Sequence, residues 1–429
     1  LKKSALLPAL LAVASFSFVA CGGSSSNKLT TRVLASQSVS SPTAFAGLDI
    51  INGEIDTLQR GGISAGTSPG LMAITPDRTI VLTFDSVTNS VEVVNTQRES
   101  LTGAIQLAGP TTSMVALASG AGYAAVPAAT QIGSAPGGVQ VLNLTVGGIT
   151  STISVPNAQT VVSSPDGTHI LAFGSDSNVV TVISANLVNI SNPVSVIVPG
   201  FDQPAYAVFS ADGGTAYILN CGPECGSTSA TASVQTLDMT TLAVGPPIPV
   251  DGATIGWLSG STLYVVGTPT ASVSNPAPNN SCAGEKTQAQ TCGRLDLIDL
   301  GSMTVTNSLV ITDGYHNRID MSVNNQLFIG AHTCTNIGNV NNVSGEVRGC
   351  LSIFNTDTAA VVIPPDNGDV TGLQSFTTRD VEYVAEGGNL RVYDTLTDSL
   401  LVETTDNITE TGTIVITGYI IDVKAIDFF

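Results

Sequence analysis

Ser164-Pro165-Asp166-Gly167, then Ile170-Leu171-Ala172-Phe173, then Val180-Thr181-Val182-Ile183-Ser184: this stretch holds the pattern from which the rest of the chain can be read. The proline pre-sets a turn dihedral, the aspartate can bond the backbone two residues on, and the glycine accepts a positive φ. The segment therefore predicts a tight turn joining two antiparallel strands. The flanking apolar runs are short and rich in β-branched residues, as strands require. Its last five residues follow a simple rule: apolar, any, apolar, apolar, then a small polar residue.

That rule recurs along the chain. It appears as Leu48 to Asn52, Val91 to Asn95, Val139 to Asn143, Val180 to Ser184, Val234 to Asp238 (with Thr236 at the third position), Leu295 to Asp299, Leu351 to Asn355 and Leu390 to Asp394. The eight copies start 43, 48, 41, 54, 61, 56 and 39 residues apart. Upstream of most copies lies the hairpin signature, as at Thr75-Pro76-Asp77 and Ser210-Ala211-Asp212-Gly213. Each unit reads as strand A, tight turn, strand B, variable loop, strand C, Asx turn, strand D. Four antiparallel strands in a unit of roughly 45 residues is the sequence signature of a β-propeller blade. The first C-strand copy has only one strand-like run before it, near Thr31 to Ser38. The chain ends in a strand without a partner of its own, Tyr419 to Ile426. The expectation is an all-β propeller of eight four-stranded blades, with N- and C-terminal strands sharing a blade; seven blades follow if one copy is accidental. Joining first to last also protects edges that would otherwise template aggregation.

The units resemble the YVTN-type β-propeller repeats of bacterial surface proteins and lactonase-like propellers. Ser164 to Ile183 carries the match best, and Tyr217-Ile218-Leu219-Asn220 and Tyr264-Val265-Val266-Gly267 come nearest to the literal motif. The resemblance extends over almost all of the chain after its N-terminus. It is specific for fold and poor for function, because propellers host many activities.

Lys2 and Lys3 precede an uncharged, mostly apolar run from Ala5 to Ala20, then Cys21 and a Gly/Ser-rich stretch. A basic segment, a short apolar segment and small residues describe a secretory signal. Phe18-Val19-Ala20-Cys21 makes it resemble a bacterial lipoprotein signal, with Phe18 where leucine is usual. The resemblance implies cleavage before Cys21, lipidation of that residue, and an address at the cell envelope, outer membrane or cell surface. Residues 1–20 are then the signal peptide, 21–30 a lipidated flexible tether, and 31–429 the propeller.

The 429 residues carry 14 basic and 33 acidic side chains, a net charge of −19. Such a balance argues against nucleic acid, whose phosphates call for a basic face. Mean hydropathy is positive and only 11% of residues are charged, the opposite of a disordered chain. With Cys21 lipidated, six cysteines remain, and an even number in an exported protein reads as disulfides. Each sequential pair lies between strands B and C of one unit, giving Cys221–Cys225, Cys282–Cys292 and Cys334–Cys350. The rival reading is a metal held by Cys221, Cys225, Cys334 and His332. The long B–C loops mark one face as decorated, and long loops in compact domains are enriched in function. His316 and Arg318, with Asp202 and Asp369 at equivalent strand entries, form a candidate polar pocket there. His169 follows a tight turn and reads as an exposed hairpin residue. No nucleophile elbow, zinc-protease motif, phosphate-cradling loop or EF-hand spacing occurs, and no cofactor is expected. The leading functional expectation is a lipid-anchored binding scaffold whose decorated face meets a protein or glycan. The alternatives are a lactonase-like hydrolase with its site at the central channel mouth, and a structural surface-layer component.

Overall fold

The computed structural model describes residues 29–38, 47–130, 135–185, 193–229, 231–269, 281–282, 285–286, 292–334, 337–338, 347–364, 368–405, 408–416 and 418–427. Chain contacts define two units, Leu1–Thr30 and Thr31–Phe429, and the second is described by itself. The expected signal peptide and Cys21 lie outside the described residues.

Thr31–Phe429 folds as eight four-stranded antiparallel blades in a ring. Blade 1 is the shared one, with Tyr419–Ala425 innermost, followed outward by Arg32–Ser38, Leu48–Asn52 and Thr57–Ile63. The inner strands of blades 2 to 8 are Pro69–Ile74, Ser113–Ala116, Ala158–Ser163, Pro204–Phe209, Ile255–Ser259, Tyr315–Met321 and Val370–Ser375. Each touches the next around the ring, and Val370–Ser375 meets Tyr419–Ala425 to complete it. All eight copies of the five-residue rule form the third strand of a blade. Blade 8 gains an extra pairing, Thr413–Ile414 against Asn389–Asp394.

The polar residue ending the rule has a structural task. In all seven copies that end in Asn or Asp, its side-chain oxygen accepts backbone N–H groups two or three residues on. Asn143 Oδ1, for example, takes Thr145 N and Val146 N, each at 3.0 Å. This Asx turn starts the return to the fourth strand. The turns between first and second strands use the same chemistry: Asp166 accepts from Thr168 N at 3.0 Å, and Asp212 from Gly214 N at 3.0 Å. Gly167 and Gly213 adopt φ of 69° and 71°, the left-handed region a side chain resists.

Apolar side chains on the two faces of each blade interdigitate with those of its neighbours. Between blades 8 and 1, Ile420, Val423 and Ala425 pack with Val381, Tyr383, Phe376 and Ile51. Arg32 adds a polar clasp at the same closure. Its Nη2 and Nε hold Asp427 at 2.6 and 2.8 Å, and its Nη1 reaches Glu99 at 2.7 Å in blade 2.

Two disulfides pair as their spacing suggests, Cys221–Cys225 and Cys334–Cys350. Cys292 is also disulfide-bonded, and the Cys282 side chain lies outside the described residues. The pairing overturns a metal held by Cys221, Cys225 and Cys334, because their sulfurs are already bonded. Among the described residues no cluster of three or more His, Cys, Asp or Glu side chains is arranged to hold an ion.

Candidate ligand site at the channel mouth

On the face where the disulfide-bearing loops emerge, a cavity of about 700 Å³ opens between the inner strands of blades 3 to 7. A local irregularity shapes its rim. The pairing of first and second strands slips by one residue at the mouth end of blades 1, 2, 4, 5, 7 and 8. Such bulges re-aim side chains that simple alternation would place elsewhere. In blade 7 the slip falls between His316 and Arg318. Asn317 and Arg318 line the cavity as a result, and His316 does not.

His316 is fully buried, its Nε2 3.1 Å from Thr312 O and its Nδ1 without a hydrogen-bond partner. Its ring packs against Gly293, where any side chain would collide. Burial holds its pKa down at about 4, so it is a neutral core histidine at physiological pH. Asp202 is likewise not at the cavity; its Oδ1 accepts from Ser227 Oγ at 2.7 Å and steadies the blade 5 loop. Asp369 Oδ1 accepts from Thr333 N at 2.8 Å and steadies the blade 7 loop. Of the four residues expected to share a pocket, only Arg318 lines it. His169 is half-buried, next to Thr168 Oγ1 at the start of its strand.

The structure supplies different companions. Glu224 lies inside the Cys221–Cys225 bridge, on a short 3-10 turn over Gly222–Cys225. Pro223 stands near the start of that turn and the disulfide closes it, so the backbone can present Glu224 to the cavity wall. Burial pushes the Glu224 carboxyl up to about 8, opposed only by the hydrogen bond its Oε2 accepts from Thr268 N at 2.8 Å. Gly267 makes room for it, because a Cβ there would stand 2.8 Å from Glu224 Oε2. Tyr315 faces the same cavity, its ring 5.3 Å from that of His332. Burial raises the Tyr315 phenol, and the charge of Glu224 adds to that. Arg318 Nε donates to Thr371 O at 2.6 Å and Nη1 to Asn317 O at 2.9 Å. Both acceptors are backbone carbonyls, so the guanidinium is held without a carboxylate partner. Asn317 Oδ1 is buried with no hydrogen-bond partner. Gln159, Gln203, Tyr206, Phe173 and Asp176 also line the wall. The mouth thus offers several aromatic faces, several amides, the Arg318 cation and two acids, of which Glu224 is the readily protonated one. Glu224 had a sequence signal of its own: a lone acid inside a four-residue disulfide spacing.

No family pattern matches the chain, and no curated protein sequence does either. Solved structures match in shape. The dihydro-heme d1 dehydrogenase NirN superposes with a TM-score of 0.60 at 11% identity, over 92% of this chain and 75% of that one. The computationally designed Ika8 protein gives 0.54 at 10% identity, over 85% and 96%. A Bacteroides fragilis protein assigned as a 6-phosphogluconolactonase gives 0.53 at 10% identity, over 94% and 99%. At such identities the likeness is one of fold, and it defines the class: a β-propeller. The disulfides suggest an oxidising, extracellular or periplasmic location. No helix among the described residues is long and apolar enough to cross a membrane.

Proposed function

We propose that the chain is a lipid-anchored envelope propeller whose mouth cavity binds a glycan or a small polyhydroxylated ligand. The observation that carries this reading is the wall itself: Tyr315 and Tyr206 beside Arg318, Gln159, Gln203 and the unpaired Asn317 Oδ1. Aromatic faces stack on the C–H surfaces of sugar rings, while amides and a guanidinium bond hydroxyl groups. A buried acceptor with no partner favours a ligand that brings a hydroxyl donor to it. Ligand cavities of roughly 300–1,000 Å³ with a few convergent polar groups are the usual form of such sites. Cys21 supplies the anchor, and the disulfide-bearing loops stiffen the rim.

Calorimetric titration with a panel of oligosaccharides and sugar acids tests the binding. A panel member should bind, and Asn317→Ala should weaken it at least tenfold. Failure of every member to bind would refute the reading. Mass spectrometry of the native N-terminus tests the anchor, and a Cys21→Ser chain that still partitions wholly into membranes would remove it.

A second reading, a lactonase-like hydrolase, is favoured by Glu224. A carboxyl with its pKa near 8 can accept or donate a proton near neutral pH. In that reaction water loses a proton to the base, its oxygen bonds the ester carbonyl carbon, and the ring oxygen departs and is protonated. The Bacteroides fragilis protein assigned as a 6-phosphogluconolactonase lends weight through fold alone. Base uptake in a pH-stat with aldonolactones measures it, and turnover should fall at least a hundredfold in Glu224→Gln.

A further inference from the structure

The opposite mouth holds a second cavity, of about 570 Å³, framed by turn and inner-strand residues of blades 2 to 6. Its character follows from a change of composition between the two ends of blades 3 to 6. Blade 3 presents Ser113 to the upper cavity and Leu117 to the lower one. Blade 4 presents Thr160 above and Val162 below. Blade 5 presents Gln203 above and Val208 below, and blade 6 presents Thr254 above and Trp257 below. Tyr206 borders both cavities and stands between them.

The lower lining offers an anionic ligand nothing to pair with. Its acid, Asp166, is engaged by its own turn: Ser164 Oγ at 2.6 Å, Thr168 Oγ1 at 2.8 Å and Thr168 N at 3.0 Å. No Lys, Arg or His lines the cavity. In a chain of net charge −19 an anion would also enter against the protein's own field. Ser119, Ser163 and Ser164 add hydroxyls at the turns, and the rest of the surface is aliphatic and aromatic, including the chain's single tryptophan, half-buried. Apolar side chains left facing a water-filled concavity gain when an apolar body displaces that water. The volume suits a molecule of one to three rings.

We propose that this lower cavity is a binding site for an uncharged, largely apolar small molecule with a planar ring, which packs against Trp257. The site is separate from the polar mouth and does not depend on the reading given to it. Tyr206 is the wall through which occupancy of one cavity can be felt in the other.

Because Trp257 is the only tryptophan, its emission reports this cavity directly. The test titrates full-length protein with N-phenyl-1-naphthylamine, a neutral apolar fluorophore that accepts energy from tryptophan. The expected result is saturable quenching of Trp257 with a matching rise in probe emission. Val208→Trp fills the cavity and Val162→Asn makes its wall polar; each should weaken probe binding at least tenfold. Trp257→Phe should abolish the energy transfer but keep the directly excited probe signal. The charged analogue 1-anilinonaphthalene-8-sulfonate should bind at least tenfold more weakly than the neutral probe. Circular dichroism melts show which variants remain folded, and two chemically different substitutions leave a usable one. Non-saturable binding, equal affinity for the sulfonate, or unchanged affinity in a folded cavity variant would overturn the proposal. Sedimentation adds a further arm: a dimer abolished by Val208→Trp would assign the face to a second copy of the chain instead.

Discussion

Removing residues 419–429 should open the ring. The deletion takes away the innermost strand of blade 1, which pairs from Val33↔Ala425 to Ser38↔Tyr419. Ile420, Val423 and Ile426 are 1%, 0% and 3% exposed. Burying such a side chain contributes roughly 1.5–3 kcal/mol, so the three together contribute about 4.5–9 kcal/mol. Their neighbours Val381, Tyr383 and Phe376 in blade 8 then lose their cover, and Arg32 loses Asp427. Total stability of a domain is about 5–15 kcal/mol, so the truncated chain is expected to be unfolded or nearly so. Ile420→Ala is the gentler probe and should cost about 2–5 kcal/mol. Unfolding entropy of about 2 cal/mol/K per residue over roughly 400 residues makes 1 kcal/mol worth about 1.2 °C. Ile420→Ala should therefore melt about 2–6 °C below the parent in a circular dichroism melt. Val305→Ala, on an exposed outer position, should move the midpoint by less than about 1 °C. A truncated protein melting within a degree or two of the parent would refute the closure energetics.

Other consequences follow from the mouth and the blade 7–8 boundary. Glu224 has a folded pKa of about 8 against 4.5 for the free side chain. Its stability contribution is complete below pH 4.5 and lost as pH rises through 8. Glu224→Gln should flatten the loss, gaining about 1 kcal/mol or more over the parent at pH 9 by urea titration; Tyr315 and His332 face the same group. Glu382, fully buried beside Asp320, is also raised well above its usual range by burial and by the Asp320 charge. Glu382→Gln should stabilise the fold as pH rises above about 4.5, and a parallel pH-stability profile in mutant and parent would contradict this. Replacing Cys221 and Cys225 by serine closes no large loop's worth of entropy, so the loss should stay below about 3 kcal/mol. Far-ultraviolet dichroism should be unchanged, while ligand affinity at the mouth falls at least threefold as Glu224 loses its fixed backbone.

The repeat, the number of blades and the shared closing blade could be read from sequence because they rest on short-range chemistry. Strand alternation, Asx turns and Asp-Gly turns act over fewer than ten residues, and each copy states them again. Asn143 binding Thr145 N and Val146 N is a local event that the sequence already contains. The local disulfides Cys221–Cys225 and Cys334–Cys350 were legible for the same reason.

The site was not legible to the same degree. Its place at the entry of an inner strand puts His316 beside the mouth, but the slipped pairing between His316 and Arg318 leaves Asn317 and Arg318 lining the cavity and His316 in the core. A bulge of this kind depends on how two strands meet, and no residue type announces it. Asp202 and Asp369 stand at equivalent strand entries, as the repeat implies, yet each is spent on the loop beside it. Glu224 reaches the wall through a bridge-closed turn and gains its raised pKa from burial, against the hydrogen bond it accepts from Thr268 N of blade 6. Sequence by itself determined the ring, because a ring is one local pattern repeated. Tertiary structure alone decided which side chains share the mouth, because that depends on bringing together strands as far apart in sequence as Thr112 in blade 3 and His332 in blade 7.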